Sequence, residues 1–65
     1  MPLDPLKIRA RMEQLKVSDA EVARRAGMAP PNWHRIKSGE RPDPNLSTAE
    51  RIADALKISL TKLLV

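Results

Sequence analysis

Between residues 30 and 41 the chain sets Asn32, His34, Arg35, Lys37, Ser38 and Arg41 into one short segment. These are groups that hydrogen-bond rather than react. An amide carries a donor and an acceptor side by side and a guanidinium carries a planar fork of donors, so both can pair bidentately with base edges, while ammonium and hydroxyl groups suit phosphate oxygens. Catalysis finds little support. His34 is the only histidine, no carboxylate stands near it in sequence to orient it, and the chain has no cysteine. Thiolate chemistry and cysteine-bearing zinc sites are therefore excluded, and one histidine cannot furnish the three or four ligands of a usual zinc site. No glycine-rich phosphate loop is present either, so the expectation is a binding protein, not an enzyme, with no metal and no cofactor.

The chain that positions these groups has 65 residues, 42% hydrophobic and 31% charged, the balance of one small folded domain with a thin stability margin. Its formal charge is +4, and the excess lies entirely within residues 1–41, because residues 42–65 carry three basic and three acidic side chains. A polyanionic partner such as nucleic acid suits that distribution. No apolar run is long enough to span a membrane and the N-terminus lacks a basic-then-apolar leader pattern, so the expected location is cytoplasmic and nucleoid-associated.

Without Phe or Tyr, and without an Asn-Gly or Asp-Gly turn, a sheet has little to be built from, and helices are expected. Asp4-Pro5 is a cap followed by proline at the first helical position, with Ile8, Met12 and Leu15 recurring at helical spacing, which predicts a helix over 5–15. Ser18-Asp19-Ala20-Glu21 is a capping box and Gly27 a stop, predicting a short helix over 19–26 with Val22, Ala23 and Ala26 inward. A third helix should start at Pro30-Pro31 and run to about Ser38, with Trp33 and Ile36 inward and Gly39 ending it. A single aromatic is too little for a base-stacking surface, so Trp33 is expected to anchor the core, its indole N–H bonded or just reaching solvent. After a loop to Asn45, a fourth helix is expected over 46–57, capped by Asn45 or Ser47, with Ile52, Ala53 and Leu56 on its apolar stripe. Ser59 is expected to cap a last helical turn or two over 60–64.

Two short helices joined by a glycine-containing turn form a unit whose second helix can enter a DNA major groove. The run DAEVARRAGMAPPNWHRIKS from Asp19 resembles the helix-turn-helix of phage Cro and lambda-repressor-like proteins, the XRE family, through Val22, Ala23, Gly27, Met28, Trp33 and Ile36. Gly39, Arg41, Pro44, Ala53, Leu56 and Leu63 continue the similarity over nearly the whole chain. The resemblance implies an all-α, compact five-helix DNA-binding domain over residues 1–65, with the motif at about 19–38. It further implies a small transcriptional regulator, expected to be a repressor, and a homodimer on an inverted-repeat operator.

On this reading Asn32, Arg35, His34 and Pro31 contact bases, Arg41, Lys37, Ser38 and Arg24 contact phosphates, and Leu64 and Val65 form a dimer patch. Three departures from the family pattern shape the expectation. Asp19 stands where the family often has a phosphate-contacting Gln, and a carboxylate there would repel a phosphate. Pro30 and Pro31 occupy the start of the recognition helix and cannot hydrogen-bond through their side chains, which moves direct readout along to Asn32, His34 and Arg35. Met12 and Lys37 replace an Arg and a Glu that often pair in the family. The rival function is a protein-interaction module, antitoxin-like or a degenerate helix-turn-helix, with weak or no DNA binding.

Overall fold

The helices begin and end where backbone groups find partners. In the computed structural model, which describes residues 2–40 and 44–65, the elements are α1 (Pro5–Leu15), α2 (Asp19–Ala26), α3 (Pro30–Lys37), α4 (Leu46–Ala55) and a 3-10 helix at Leu60–Leu63. The architecture is all-helical. Instead of the five α-helices expected, the described residues contain four, and the last element is a single 3-10 turn in which Ser59 makes no side-chain cap. Its chain then leaves as an extended segment, with Leu64 forming an isolated antiparallel bridge to Leu3. No helix among the described residues is long and apolar enough to cross a membrane.

At the N-termini, Asp4 accepts from the Leu6 N–H at 2.9 Å and Asn45 from the Thr48 N–H at 2.9 Å. Asn45 rather than Ser47 is thus the cap of α4. Ser18 accepts from the Glu21 N–H at 3.2 Å, but the reciprocal half of the capping box is replaced: the Glu21 carboxylate pairs with Arg24 and Arg25. Ala29 precedes α3 without any side-chain cap, as its sequence requires, and Pro30 and Pro31 remove two N–H groups that would otherwise need one.

Three of the four α-helical C-termini share one geometry. After α1, α2 and α4 the chain turns through a left-handed residue, Lys16 (φ 57°), Gly27 (φ 67°) and Lys57 (φ 52°). In each case the next N–H reaches back five residues: Val17 to the Met12 carbonyl, Met28 to Ala23 and Ile58 to Ala53. This is the Schellman closure. Val17, Met28 and Ile58 all pack partly buried against the core, which holds the left-handed turn even where lysine occupies it. The turn at Lys57 ends α4 at Ala55, two residues short of the expected boundary.

The core is built around Trp33, with Leu3, Ile8, Val22, Ile36, Ile52, Leu56 and Leu63 fully enclosed. The alanines of α2 and α4 permit close approach, and α2 packs most extensively on α4, then on α3. Arg11 fastens the far end of this pair, donating from Nε to the Leu56 carbonyl at 2.9 Å and from Nη2 to the Lys57 carbonyl at 2.9 Å. Arg25 donates to the Ala55 carbonyl beside it at 3.4 Å. Two guanidinium groups therefore sit on the negative end of α4. The chain termini close against each other, with the Asp4 N–H on the Leu63 carbonyl at 2.8 Å and Lys7 Nζ on the Leu64 carbonyl at 2.6 Å.

Candidate nucleic-acid interface

Packing divides α3 into two sides. Trp33 and Ile36 point into the core, and this leaves Pro30, Pro31, Asn32, His34, Arg35 and Ser38 exposed along the rest of the helix. Asn32 and Arg35 lie three residues apart and so stand on one side, a turn from each other. Among the described residues the side chains of Asn32, His34 and Arg35 make no hydrogen bond and no ion pair, so three polar groups of the expected readout set are uncommitted. Pro31 adds an exposed apolar ring beside them. With proline at its first two positions, α3 offers no N–H from either residue to a bound anion, and cationic side chains must supply that attraction.

The other expected contacts are placed differently. Lys37 is three-quarters enclosed, and its Nζ lies 2.9 Å from Oδ1 and 3.1 Å from Oδ2 of Asp19. The Trp33 Nε1–H donates to the same Oδ1 at 3.0 Å, which satisfies the indole inside the protein. The hydrogen bond and charge of Lys37, with the Trp33 hydrogen bond and the charge of His34, hold the Asp19 carboxyl below its ordinary value against a smaller opposing effect of burial. Asp19, expected as a lone repelling carboxylate, is therefore a partnered group. Lys37, at the place where the family often has a Glu paired with an Arg of the first helix, is instead paired with Asp19, between α3 and α2.

Arg24 is exposed and shares the Glu21 carboxylate with Arg25, and these two guanidiniums lower the Glu21 pKa. The Ser38 hydroxyl is used locally, donating to the Arg35 carbonyl at 3.2 Å and accepting from the Glu40 N–H at 3.4 Å. Arg41 lies outside the described residues. Of the expected dimer pair, Leu64 turns partly inward onto the core, while Val65 is 82% exposed.

Sequence reasoning missed one cation. Arg51 of α4 is exposed beside the turn of the motif, its Nη1 3.8 Å from where a Cβ on Gly27 would stand. With Thr48 one turn before it, Arg51 lines a cleft that reaches Ala29 and Asn32 at the start of α3. The i, i+3 spacing of Thr48 and Arg51, off the Ile52–Leu56 stripe, was the available signal. Its relation to the turn of the motif needed the packing of α4 on α2.

Comparison with known proteins agrees with this geometry. Residues 7–65 match the Cro/C1-type HTH DNA-binding domain family. An uncharacterized HTH-type transcriptional regulator of Coxiella burnetii is 30% identical over 57 residues, covering 88% of this chain and 26% of its own. Among solved structures, native PhpD with cadmium atoms and a mutant of hydroxyethylphosphonate dioxygenase each superpose over the whole of this chain with a TM-score of 0.81 and 25% identity. The chain spans only 14% of those two proteins. Helix arrangement, motif residues and family match converge: the chain belongs to the Cro/C1-type helix-turn-helix DNA-binding domain family.

Proposed function

We propose that this domain binds double-stranded DNA sequence-specifically, with α3 in the major groove, and acts by binding rather than by catalysis as a small transcriptional regulator, a repressor in the first instance. The observation that carries the reading is the exposed side of α3, where Asn32, His34 and Arg35 stand without partners among the described residues of a domain in this family. Asn32 is suited to adenine and Arg35 to guanine, while His34 and Pro31 flank them and Pro31 offers apolar contact to a thymine methyl. Arg24, Ser38 and Arg41 would hold the phosphates, joined by Arg51. Lys37, expected among them, has its ammonium on Asp19 instead.

One such module covers about 600–1,000 Å² of protein surface on DNA, so useful affinity calls for two copies on an inverted repeat, with half-sites roughly 34 Å apart. Val65, with Leu64 behind it, is the proposed contact between copies. The test is selection of bound duplexes from a randomised pool at moderate salt. Enrichment of an inverted repeat supports the reading; salt-sensitive retention without enrichment limits it to backbone binding; no retention at low salt removes it.

A second reading is a protein-interaction module with little DNA binding. It draws on the same fold forming 14% of proteins named as a dioxygenase and on the prolines that open α3. Binding to DNA that does not strengthen at low salt would favour it.

A further inference from the structure

Asp19 sits at the first position of α2 and takes two donor groups onto one carboxylate: the Trp33 indole and, through both oxygens, the Lys37 ammonium. With 33% of its side chain exposed, Asp19 is open to solvent beside its contact with α3. The start of α2 would otherwise present partial positive charge to a polyanion, but Asp19 and Glu21 both fill its first turn with negative charge. The same contact holds a lysine from the last turn of α3 inward, with only 23% of its side chain exposed.

We infer that Asp19 is a specificity-determining residue that latches α2 to α3 and withholds Lys37 from the DNA backbone, lowering affinity for arbitrary duplexes. This rests on the DNA-binding reading above. A backbone contact adds affinity to every sequence alike, so each lysine kept off phosphate shifts the balance toward the base contacts of Asn32 and Arg35. The latch also sets how far α3 stands from α2, because Trp33 and Lys37 leave α3 on the same side and meet one acceptor.

The experiment is a salt titration of binding to a random-sequence duplex by the wild type, Asp19→Asn, Lys37→Gln and the double variant. Asparagine keeps an oxygen for the Trp33 indole while releasing Lys37, so far-UV circular dichroism and tryptophan fluorescence should remain native. Each phosphate gained steepens the slope of log affinity against log salt by about 0.9. Asp19→Asn should therefore steepen the slope by about one and tighten low-salt binding several-fold. Lys37→Gln alone should leave the slope at its wild-type value, and the double variant should lose the steepening. A shallower slope in Lys37→Gln alone would show Lys37 on phosphate already and overturn the inference, and an unchanged slope in Asp19→Asn would do the same. Should Asp19→Asn fail to fold, Lys37→Gln still decides between the two positions of the lysine. A wild type that binds no duplex with salt dependence would remove the DNA reading itself, and the inference with it.

Discussion

The indole of Trp33, with no exposed surface, donates its Nε1–H to Oδ1 of Asp19 at 3.0 Å, so the central core ring is tied to the residue that opens α2. A buried indole N–H without an acceptor is costly, and here the acceptor is a carboxylate whose charge is balanced by Lys37. One contact thus joins the core, the orientation of α3 and the charge of the surface beside it.

That contact predicts an acid-sensitive stability. Lys37 and Trp33 favour the ionised carboxylate, so Asp19 loses its proton more readily in the folded chain than at its ordinary value of 3.8. Its contribution is then complete above that value and disappears as the pH falls through the lowered folded one. Urea unfolding followed across that acid range should show stability falling in the wild type and a flatter limb in Asp19→Asn. Equal slopes in the two proteins would refute the assignment.

Arg11 makes a different kind of tie, from the middle of α1 to the carbonyls of Leu56 and Lys57 that end α4. Hydrogen bonds from a charged donor contribute about 1.5–3 kcal/mol, so Arg11→Met should lower unfolding stability by roughly that amount. Arg11→Lys should recover little, because one ammonium cannot reproduce the two-pronged geometry. The salt slope of DNA binding should be unaffected; a shallower one would place Arg11 on the backbone as well.

Of the three Schellman turns, one places glycine and two place lysine at the left-handed position. A side chain there costs about 1–2 kcal/mol, so Gly27→Ala should destabilise by about that much. Lys16→Gly should instead stabilise, by up to about 1 kcal/mol once the extra freedom of glycine in the unfolded chain is counted. Thermal unfolding of both variants gives the signs, and a loss in Lys16→Gly would mean that its side chain supplies more than the turn does.

Arg35 is the sharpest test of base readout. Arg35→Ala should cost about 1–3 kcal/mol on the selected operator and relax preference at a single base position. A uniform loss over all sequences would reassign it to phosphate. Arg24→Ala should show the uniform pattern, together with a slope shallower by about one.

Helix positions were legible in the sequence because caps and stops are local. Asp4-Pro5, Ser18, Gly27 and Asn45 each satisfy or relieve backbone groups within a turn of themselves, and the start of α1 and both boundaries of α2 follow from them directly. Lys16-Val17 and Lys57-Ile58 carry no local stop signal, since lysine has no preference for the left-handed region. There the turn is held by burial of Val17 and Ile58, which depends on what lies beneath them. The last element is a 3-10 turn rather than an α-helix for a related reason, because Ser59 makes no cap and the backbone of Leu64 pairs with Leu3 from the other end of the chain.

The sequence by itself determined which side of α3 is buried, and so that Asn32, His34 and Arg35 face outward, because a period of 3.6 residues separates them from Trp33 and Ile36. Tertiary structure alone decided which charges remain available. Asp19 and Lys37 are 18 residues apart and Arg11 and Leu56 are 45 apart. Whether a cation faces solvent, a carboxylate or a helix end depends on distances of a few ångströms between elements, and the packing of α2 on α3 and α4 sets those distances.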